Sequence, residues 1–215
     1  MSESVSQQRF PRLYPIVDQE LLELRGVAVS RVAEDLKAAG VILLQYRNKV
    51  GEPDSILRHA SVIWEVFAGS DCRLILNDYA DLVGRAGFGG VHVGQGDLSP
   101  EDARRVVGAK RWVGVSTHSD EQVRIANETS ADYVAVGPVF ATSTKMDAEP
   151  VIGLDGVRRA RALTKKPIVA IGGITRANAR SVIDAGADSV AVISALFVEG
   201  ETVEKVVGDF LEILR

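Results

Sequence analysis

Eight short apolar runs with the character of β-strands recur along the chain, and segments with apolar residues at helical spacing lie between them. The runs are LYPIVD from Leu13, VILLQYR from Val41, RLILND from Arg73, GVHVGQ from Gly90, WVGVST from Trp112, YVAVGPVF from Tyr133, PIVAIGG from Pro167 and SVAVISA from Ser189. Because strands and helices alternate, the pattern predicts a parallel sheet whose strands are joined by helices.

Capping residues mark the starts of several predicted helices. Ser99 precedes a proline, Ser119 has a glutamine three residues later, and Thr175 follows a Gly-Gly pair and is expected to open a helix. Eight strand–helix units most often close into a barrel, so we predict one α/β domain, a (β/α)8 TIM barrel over residues 12–215, after a flexible tail over residues 1–11. A doubly wound open sheet is the alternative, but no Gly-rich nucleotide loop follows the first strand.

The composition is that of an ordinary globular protein, with 46% hydrophobic and 25% charged residues. The 25 Lys and Arg residues against 29 Asp and Glu give a net charge of -4, so we predict neither nucleic-acid nor membrane binding. No apolar run approaches the roughly 18 residues of a membrane span. The single cysteine, Cys72, favours a reducing, cytoplasmic location, and the number of subunits stays open, a homo-oligomer included.

Polar residues cluster where the predicted strands end. In strand order they are Gln45, Arg47 and Lys49; Asn77 and Asp78; Gln95 and Asp97; Ser116, Thr117 and His118; Thr142, Ser143, Thr144 and Lys145; Gly172 and Gly173; and Ser194. Because side chains alternate along a strand, residues 45, 47 and 49 fall on one face. Ligands of such barrels bind at the C-terminal strand ends, so we expect these groups to meet at one mouth.

Each of these residues also has a purely structural interpretation. Arg47 and Lys49 resemble solvated charges at a strand end, and Asn77 with Asp78 resembles a turn or a helix cap. His92, inside the fourth strand, is expected to be a hydrogen-bonded interior imidazole rather than a ligand. The functional interpretation is favoured because all these polar residues fall at the same end of the predicted barrel. The structural interpretation would need that placement to arise independently at several strand ends.

The charges at this mouth suit a metal-bound diphosphate. Asp78 and Asp97 offer hard oxygen ligands without a nearby His or Cys cluster, which favours Mg²⁺ over zinc. Arg47, Lys49 and Lys145 add positive charge. Three cations and a divalent metal, less two carboxylates, leave about +3, which matches a diphosphate ester.

A second anion site is expected at the last two strands. Gly172, Gly173 and the helix start predicted at Thr175 offer backbone N–H groups that a Cβ would obstruct, and Ser194 ends the eighth strand. The mouth is therefore predicted to hold two phosphorylated compounds.

Seven motifs, taken in order, resemble those of thiamine phosphate synthases. They are QYRNK, NDYADL, GVHVGQGD, GVSTH, VGPVFATSTK, AIGGI and VISA, and the resemblance runs from about Leu13 to Phe197. It implies a Mg²⁺-dependent (β/α)8 transferase that joins 4-amino-5-hydroxymethyl-2-methylpyrimidine diphosphate to a thiazole phosphate, giving thiamine phosphate and pyrophosphate. In the implied chemistry, pyrophosphate departs first and the thiazole nitrogen captures the pyrimidine-methylene cation.

The resemblance also implies roles for single residues. Those implied for the pyrimidine diphosphate are Gln45, Tyr46, Arg47, Asn48, Lys49 and Asn77. Those implied as catalytic groups on the phosphates or the leaving pyrophosphate are Arg47, Lys49, Ser116 and Lys145. Those implied as Mg²⁺ ligands are Asp78 and Asp97, and those implied for the thiazole phosphate are Thr142, Ser143, Thr144, Gly173, Ile193 and Ser194.

Three alternatives are weighed against this function. The first is a thiazole tautomerase, a relative on the same barrel. It carries a histidine at the position of Pro138, so the proline argues against this alternative. A non-catalytic ligand-binding barrel could lose Asp78, Asp97 or Lys145, and all three are present. A sugar-phosphate isomerase or epimerase would leave the diphosphate cluster unexplained.

The chain departs from the family pattern at three positions, Asn48, Gly96 and Ala141. None of these departures removes a proposed phosphate or Mg²⁺ ligand, although lost carboxylates can alter the water around a metal. The sequence leaves open whether the thiazole substrate is carboxylated, in which case CO₂ is also released.

Overall fold

Eight strands alternate with helices in the computed structural model, which describes residues 10–142 and 150–215. The strands are β1 (Leu13–Asp18), β2 (Leu43–Arg47), β3 (Arg73–Asn77), β4 (Gly90–Val93), β5 (Trp112–Thr117), β6 (Tyr133–Val136), β7 (Ile168–Ile171) and β8 (Ser189–Val192). They form a closed parallel barrel in sequence order, with β8 paired to β1, and the predicted fold class is confirmed.

Helices surround this barrel. Those in the described residues are α1 (Gln19–Arg25), α2 (Val29–Ala38), α3 (Pro53–Phe67), α4 (Pro100–Val107), α5 (Asp120–Asn127), α6 (Gly153–Leu163), α7 (Ala179–Asp184) and α8 (Val203–Ile213). The hydroxyls of Ser99 and Ser119 accept backbone N–H bonds at the starts of α4 and α5, so both predicted caps are confirmed. Within the described residues, no helix is long and apolar enough to cross a membrane.

Three features differ from the predicted pattern. Helix α1 is an addition, capped by Asp18 and ended by Gly26 at a φ of 63°. After β3 only a 3₁₀ turn forms, because several glycines in segment 84–90 disfavour a helix. The helix start predicted at Thr175 is wrong: α7 begins at Ala179, and the Thr175 N–H instead donates to the side-chain oxygen of Asn178 over 2.8 Å.

Alternate residues of each strand face two separate cores. Leu43 of β2 packs inside the barrel, whereas Leu44 and Tyr46 pack against the surrounding helices. Phe10, which lies in the predicted tail, stacks on Trp112 with ring centroids 5.3 Å apart. Phe10 therefore packs against the barrel, and residues 1–9 of the predicted tail lie outside the described residues.

A buried hydroxyl gives the first testable prediction. Ser189 is fully buried at the start of β8, and its hydroxyl has no hydrogen-bond partner among the described residues. Because such a group costs about 1–3 kcal/mol, we expect Ser189→Ala to raise the free energy of unfolding by about 1 kcal/mol. Urea unfolding should show a higher midpoint at an unchanged slope.

Thr164→Val is the matched control for this prediction. Thr164 is also buried, but its hydroxyl donates to Asn127 Oδ1 over 2.7 Å, so its loss should lower the unfolding midpoint. A lower midpoint for Ser189→Ala would contradict the expectation.

Candidate active site

A cavity opens at the C-terminal ends of the strands, and its two sides differ in chemistry. The polar side comes from β1 to β5 and the residue that follows β5, and its members are Tyr14, Gln45, Arg47, Asn77, His92, Ser116, Thr117 and His118. The apolar side comes mainly from β6 to β8, and its members include Ala135, Val169, Ile171, Ala191 and Ile193. The predicted residues Gln45, Arg47, Asn77, Ser116 and Ile193 therefore meet at one mouth.

The end of β2 is tied to the end of β1. Asp18 and Arg47 are register partners on the two strands, and the Arg47 guanidinium donates to Asp18 Oδ2. Asp18 Oδ1 meanwhile accepts the Leu21 N–H over 3.0 Å at the start of α1. The Asp18 side chain is 5% exposed and that of Arg47 is 17% exposed. This buried ion pair fixes one side of the guanidinium and leaves the rest at the mouth.

Lys49, Asp78 and Asp97 form a second charged group beside the cavity. The Lys49 ammonium lies 2.8 Å from Asp78 Oδ2, and the carboxyl groups of Asp78 and Asp97 are within hydrogen-bonding reach of each other. Burial raises the pKa of Asp78, with Asp97 adding to the rise and Lys49 opposing it. Burial also acts on Asp97, but hydrogen bonds from Asp78 and the Gly94 N–H lower the pKa of Asp97.

Asp78 has an unusual backbone conformation. Across residues 10–142 and 150–215 it is the single non-glycine residue with a positive φ, at 65°. Aspartate and asparagine tolerate this left-handed region better than most residues, and such strain tends to occur at functional sites. The Asp78 N–H donates to the backbone oxygen of His92 over 2.8 Å, which ties this turn to β4.

Asn77 and Ser116 offer neutral polar groups to the same mouth. The Asn77 side chain is buried, and its amide nitrogen has no hydrogen-bond partner among the described residues. Ser116 Oγ lies 2.8 Å from His92 Nε2, and both residues line the cavity. An amide donor buried at a cavity wall is satisfied when a ligand supplies an acceptor.

The last strands bring together part of the predicted second anion site. Gly173 has a φ of 62°, and a Cβ there would lie 2.5 Å from the backbone oxygen of Ala141, so the loop after β6 lies directly against it. Thr142 belongs to this loop, and Ser194 begins a 3₁₀ turn after β8. Helix α7 has only six residues and begins at Ala179, and its N-cap residue Asn178 donates to the backbone oxygen of Gly173 over 3.0 Å. Ser143, Thr144 and Lys145 lie outside the described residues.

Two predicted binding residues point away from the mouth. Tyr46 lies on the outer face of β2, where its hydroxyl is 2.9 Å from His59 Nδ1. Asn48 donates to the Tyr46 hydroxyl over 3.3 Å and accepts the Gly51 N–H over 2.8 Å. The side chains of Tyr46 and Asn48 therefore stabilise the outer face of β2 and the turn that follows it.

Tyr14 and Asp18, both on β1, belong to the site but are missing from the sequence-based set. Alternation along the first strand places Tyr14, Ile16 and Asp18 on one face, and this was the available signal. The signal is weak because period-two alternation does not reveal which face is the interior.

The donor set at Asp78 and Asp97 fits Mg²⁺. No group of three or more His, Cys, Asp and Glu side chains that could hold a metal ion occurs in the part of the chain that is described. Mg²⁺ is commonly held by one or two carboxylates, with water and substrate phosphates completing the octahedron. Two adjacent carboxyl groups at an open mouth meet that requirement.

The closed barrel and its polar mouth define a class, the (β/α)8 proteins that bind ligands at the C-terminal strand ends. The sequence model of the family described as thiamine monophosphate synthase matches residues 13–196. The chain belongs to this family.

Individual relatives agree with that assignment. The thiamine-phosphate synthase of Koribacter versatilis is 52% identical over 209 residues, covering 96% of this chain and 97% of that protein. The thiamine-phosphate synthase of Chloroflexus aurantiacus is 42% identical, with 86% and 84% covered. Among solved structures, a thiamine phosphate pyrophosphorylase from Pyrococcus furiosus superposes with a TM-score of 0.82 at 32% identity, covering 94% of this chain and 95% of that one.

Proposed function

We propose that the protein is a transferase of thiamine biosynthesis that condenses 4-amino-5-hydroxymethyl-2-methylpyrimidine diphosphate with a thiazole phosphate. The products are thiamine phosphate and pyrophosphate, with CO₂ if the thiazole is carboxylated. The observation that carries this proposal is the meeting of Gln45, Arg47, Asn77 and Ser116 at one mouth, beside the Asp78–Asp97 pair, in a chain of this family.

The chemistry requires a good leaving group more than a base. The bond between the pyrimidine methylene carbon and the diphosphate oxygen breaks, and both electrons leave with pyrophosphate. The thiazole nitrogen then forms the new C–N bond with its lone pair, so no proton has to be removed for that step. Catalysis therefore depends on stabilising the charge of pyrophosphate and on holding the nucleophile close.

The chain's own cations would stabilise the departing pyrophosphate. Arg47 is held in place by Asp18, and Lys49 reaches the mouth beside Asp78. Asp78 and Asp97 would hold Mg²⁺, which supplies further positive charge to the diphosphate oxygens. Lys145 is expected to join this group on the ground of the family motif alone.

The pyrimidine ring and the thiazole ring of the two substrates need binding surfaces of different chemistry. The free amide nitrogen of Asn77 and the buried Gln45 amide suit the nitrogen atoms of an aminopyrimidine. The apolar side of the cavity, with Val169, Ile171 and Ala191, gives an aromatic ring a surface to pack against. Gly173 and Ser194 remain the proposed receptors of the thiazole phosphate.

The decisive experiment supplies both substrates to the purified protein, with and without Mg²⁺, and follows pyrophosphate and thiamine phosphate together. We expect both products in equal amounts with Mg²⁺ and a large loss of rate without it. Absence of both products in the complete mixture would overturn the proposed reaction, and an unchanged rate with a chelator would overturn the Mg²⁺ requirement. A cytoplasmic location, favoured by the single cysteine, belongs to the same proposal.

A further inference from the structure

Five polar side chains cross the barrel interior in one line, the interior hydrogen-bond chain. Gln45 Nε2 lies 3.0 Å from the Tyr14 hydroxyl, which lies 2.9 Å from the Tyr133 hydroxyl. The Tyr133 hydroxyl lies 3.0 Å from His92 Nδ1, and His92 Nε2 lies 2.8 Å from Ser116 Oγ. The interior hydrogen-bond chain thus joins five different strands, and the residues at its two ends, Gln45 and Ser116, both line the cavity.

The orientation of the Gln45 amide sets the direction of every bond in the interior hydrogen-bond chain. With its nitrogen toward Tyr14, this amide donates and the Tyr14 oxygen accepts. The Tyr14 hydroxyl then donates to the Tyr133 oxygen, and the Tyr133 hydroxyl donates to His92 Nδ1. His92 Nε2 therefore carries the ring proton and donates to Ser116 Oγ.

With the Gln45 nitrogen toward Tyr14, the opposite direction would leave a proton without an acceptor. If Tyr133 donated to Tyr14, the Tyr14 oxygen would accept twice and its own proton would lie unpaired in a site that is 1% exposed. A buried donor without an acceptor is strongly disfavoured. Burial raises the pKa of both tyrosines, so each hydroxyl keeps its proton and can donate it.

Gly114 makes room for the centre of the chain. A Cβ at Gly114 would lie 2.0 Å from the Tyr133 ring carbon that bears the hydroxyl and 2.3 Å from the hydroxyl itself. Strand β5 therefore has no side chain at position 114. The space that this leaves inside the barrel lets the Tyr133 hydroxyl reach Tyr14 and His92. The Tyr133 ring also stacks near His92, with centroids 5.6 Å apart, which limits movement of both rings.

We propose that Tyr133 and His92 are positioning residues that make the Ser116 hydroxyl a hydrogen-bond donor to the diphosphate. Because Ser116 Oγ accepts from His92, its own proton is available to the mouth rather than to the interior. A phosphate oxygen offers only acceptors, so a serine whose proton pointed inward could not bind it in this way. This inference rests on the proposed function, since it takes the diphosphate as the ligand of Ser116.

The test is a double-mutant cycle that measures binding of inorganic pyrophosphate with Mg²⁺ by titration calorimetry. Tyr133→Phe removes only the hydroxyl at the centre of the chain, and Ser116→Ala removes its last member. We expect each variant to weaken pyrophosphate binding about tenfold, and the double variant also about tenfold rather than a hundredfold, because Tyr133 acts through Ser116. Additive losses, or wild-type affinity in Tyr133→Phe, would overturn the inference.

Two further variants keep the result independent of folding. Thr164→Val removes a buried hydroxyl that bonds at the far end of the barrel and should leave pyrophosphate affinity unchanged. Tyr14→Phe breaks the chain one link earlier and should weaken binding only when Ser116 is present, whereas equal weakening in the Ser116→Ala background would overturn the inference. A wild-type protein that binds no pyrophosphate and makes no thiamine phosphate would overturn the proposed function itself.

Discussion

Replacing Asp78 with asparagine is expected to lower turnover at saturating substrates by about 10²–10³-fold, a typical loss for one group that stabilises transition-state charge. The substitution removes one of the two carboxylates proposed to hold Mg²⁺. It keeps a residue type that tolerates the φ of 65° at this position, so the free energy of unfolding should change by less than about 1 kcal/mol. Rates of thiamine phosphate formation and urea unfolding measure the two effects separately.

Asp71→Asn is the matched control for this experiment. Asp71 is an exposed carboxylate that precedes β3 at the opposite end of the same strand, so the same chemical change there should leave the rate unaltered. Wild-type turnover in Asp78→Asn would remove Asp78 from the proposed metal site.

Replacing Arg47 with alanine is expected to reduce both catalysis and stability. Loss of a cation on the leaving pyrophosphate should lower kcat/KM about 10²-fold. The change also leaves Asp18 buried and unpaired, and removing one partner of a buried ion pair costs about 3–5 kcal/mol of unfolding free energy. Steady-state kinetics and urea unfolding of the same sample give both quantities.

The double variant Asp18→Asn with Arg47→Ala separates the two effects. It removes the uncompensated charge, so most of the lost stability should return while kcat/KM stays low. Arg124→Ala breaks an ion pair with Glu121 that is exposed on both sides and should cost less than about 1 kcal/mol, with no effect on rate. A stability loss no larger for Arg47→Ala than for Arg124→Ala would contradict the buried pair.

Much of the barrel was predictable because strand patterns and caps are local. The run beginning at Leu13 is β1 from its first residue to its last, and the Ser99 and Ser119 caps form as predicted. The start of α7 was mispredicted because the Thr175 N–H is satisfied by Asn178, a choice that a hydroxyl after two glycines does not reveal.

The site was predictable in part for a similar reason. Residues at the C-terminal ends of the strands must lie at one end of a parallel barrel, so Gln45, Arg47, Asn77 and Ser116 could be grouped before their contacts were known. Tyr46 was grouped with them because it lies in the same motif, yet its side chain packs on the other face of β2. The side chains of adjacent residues in a strand point to opposite faces of the sheet. A match to a sequence motif does not distinguish these two faces.

The sequence by itself determined the alternation of strands and helices, which favours a barrel, and the end at which polar groups collect. Only the tertiary structure decided which face of each strand became the interior and which polar groups meet there. Tyr14 and Tyr133 are 119 positions apart in the chain, yet their hydroxyls lie 2.9 Å apart. Local periodicity carries no information about such pairs, because closure of the barrel and the space left by Gly114 set their distance.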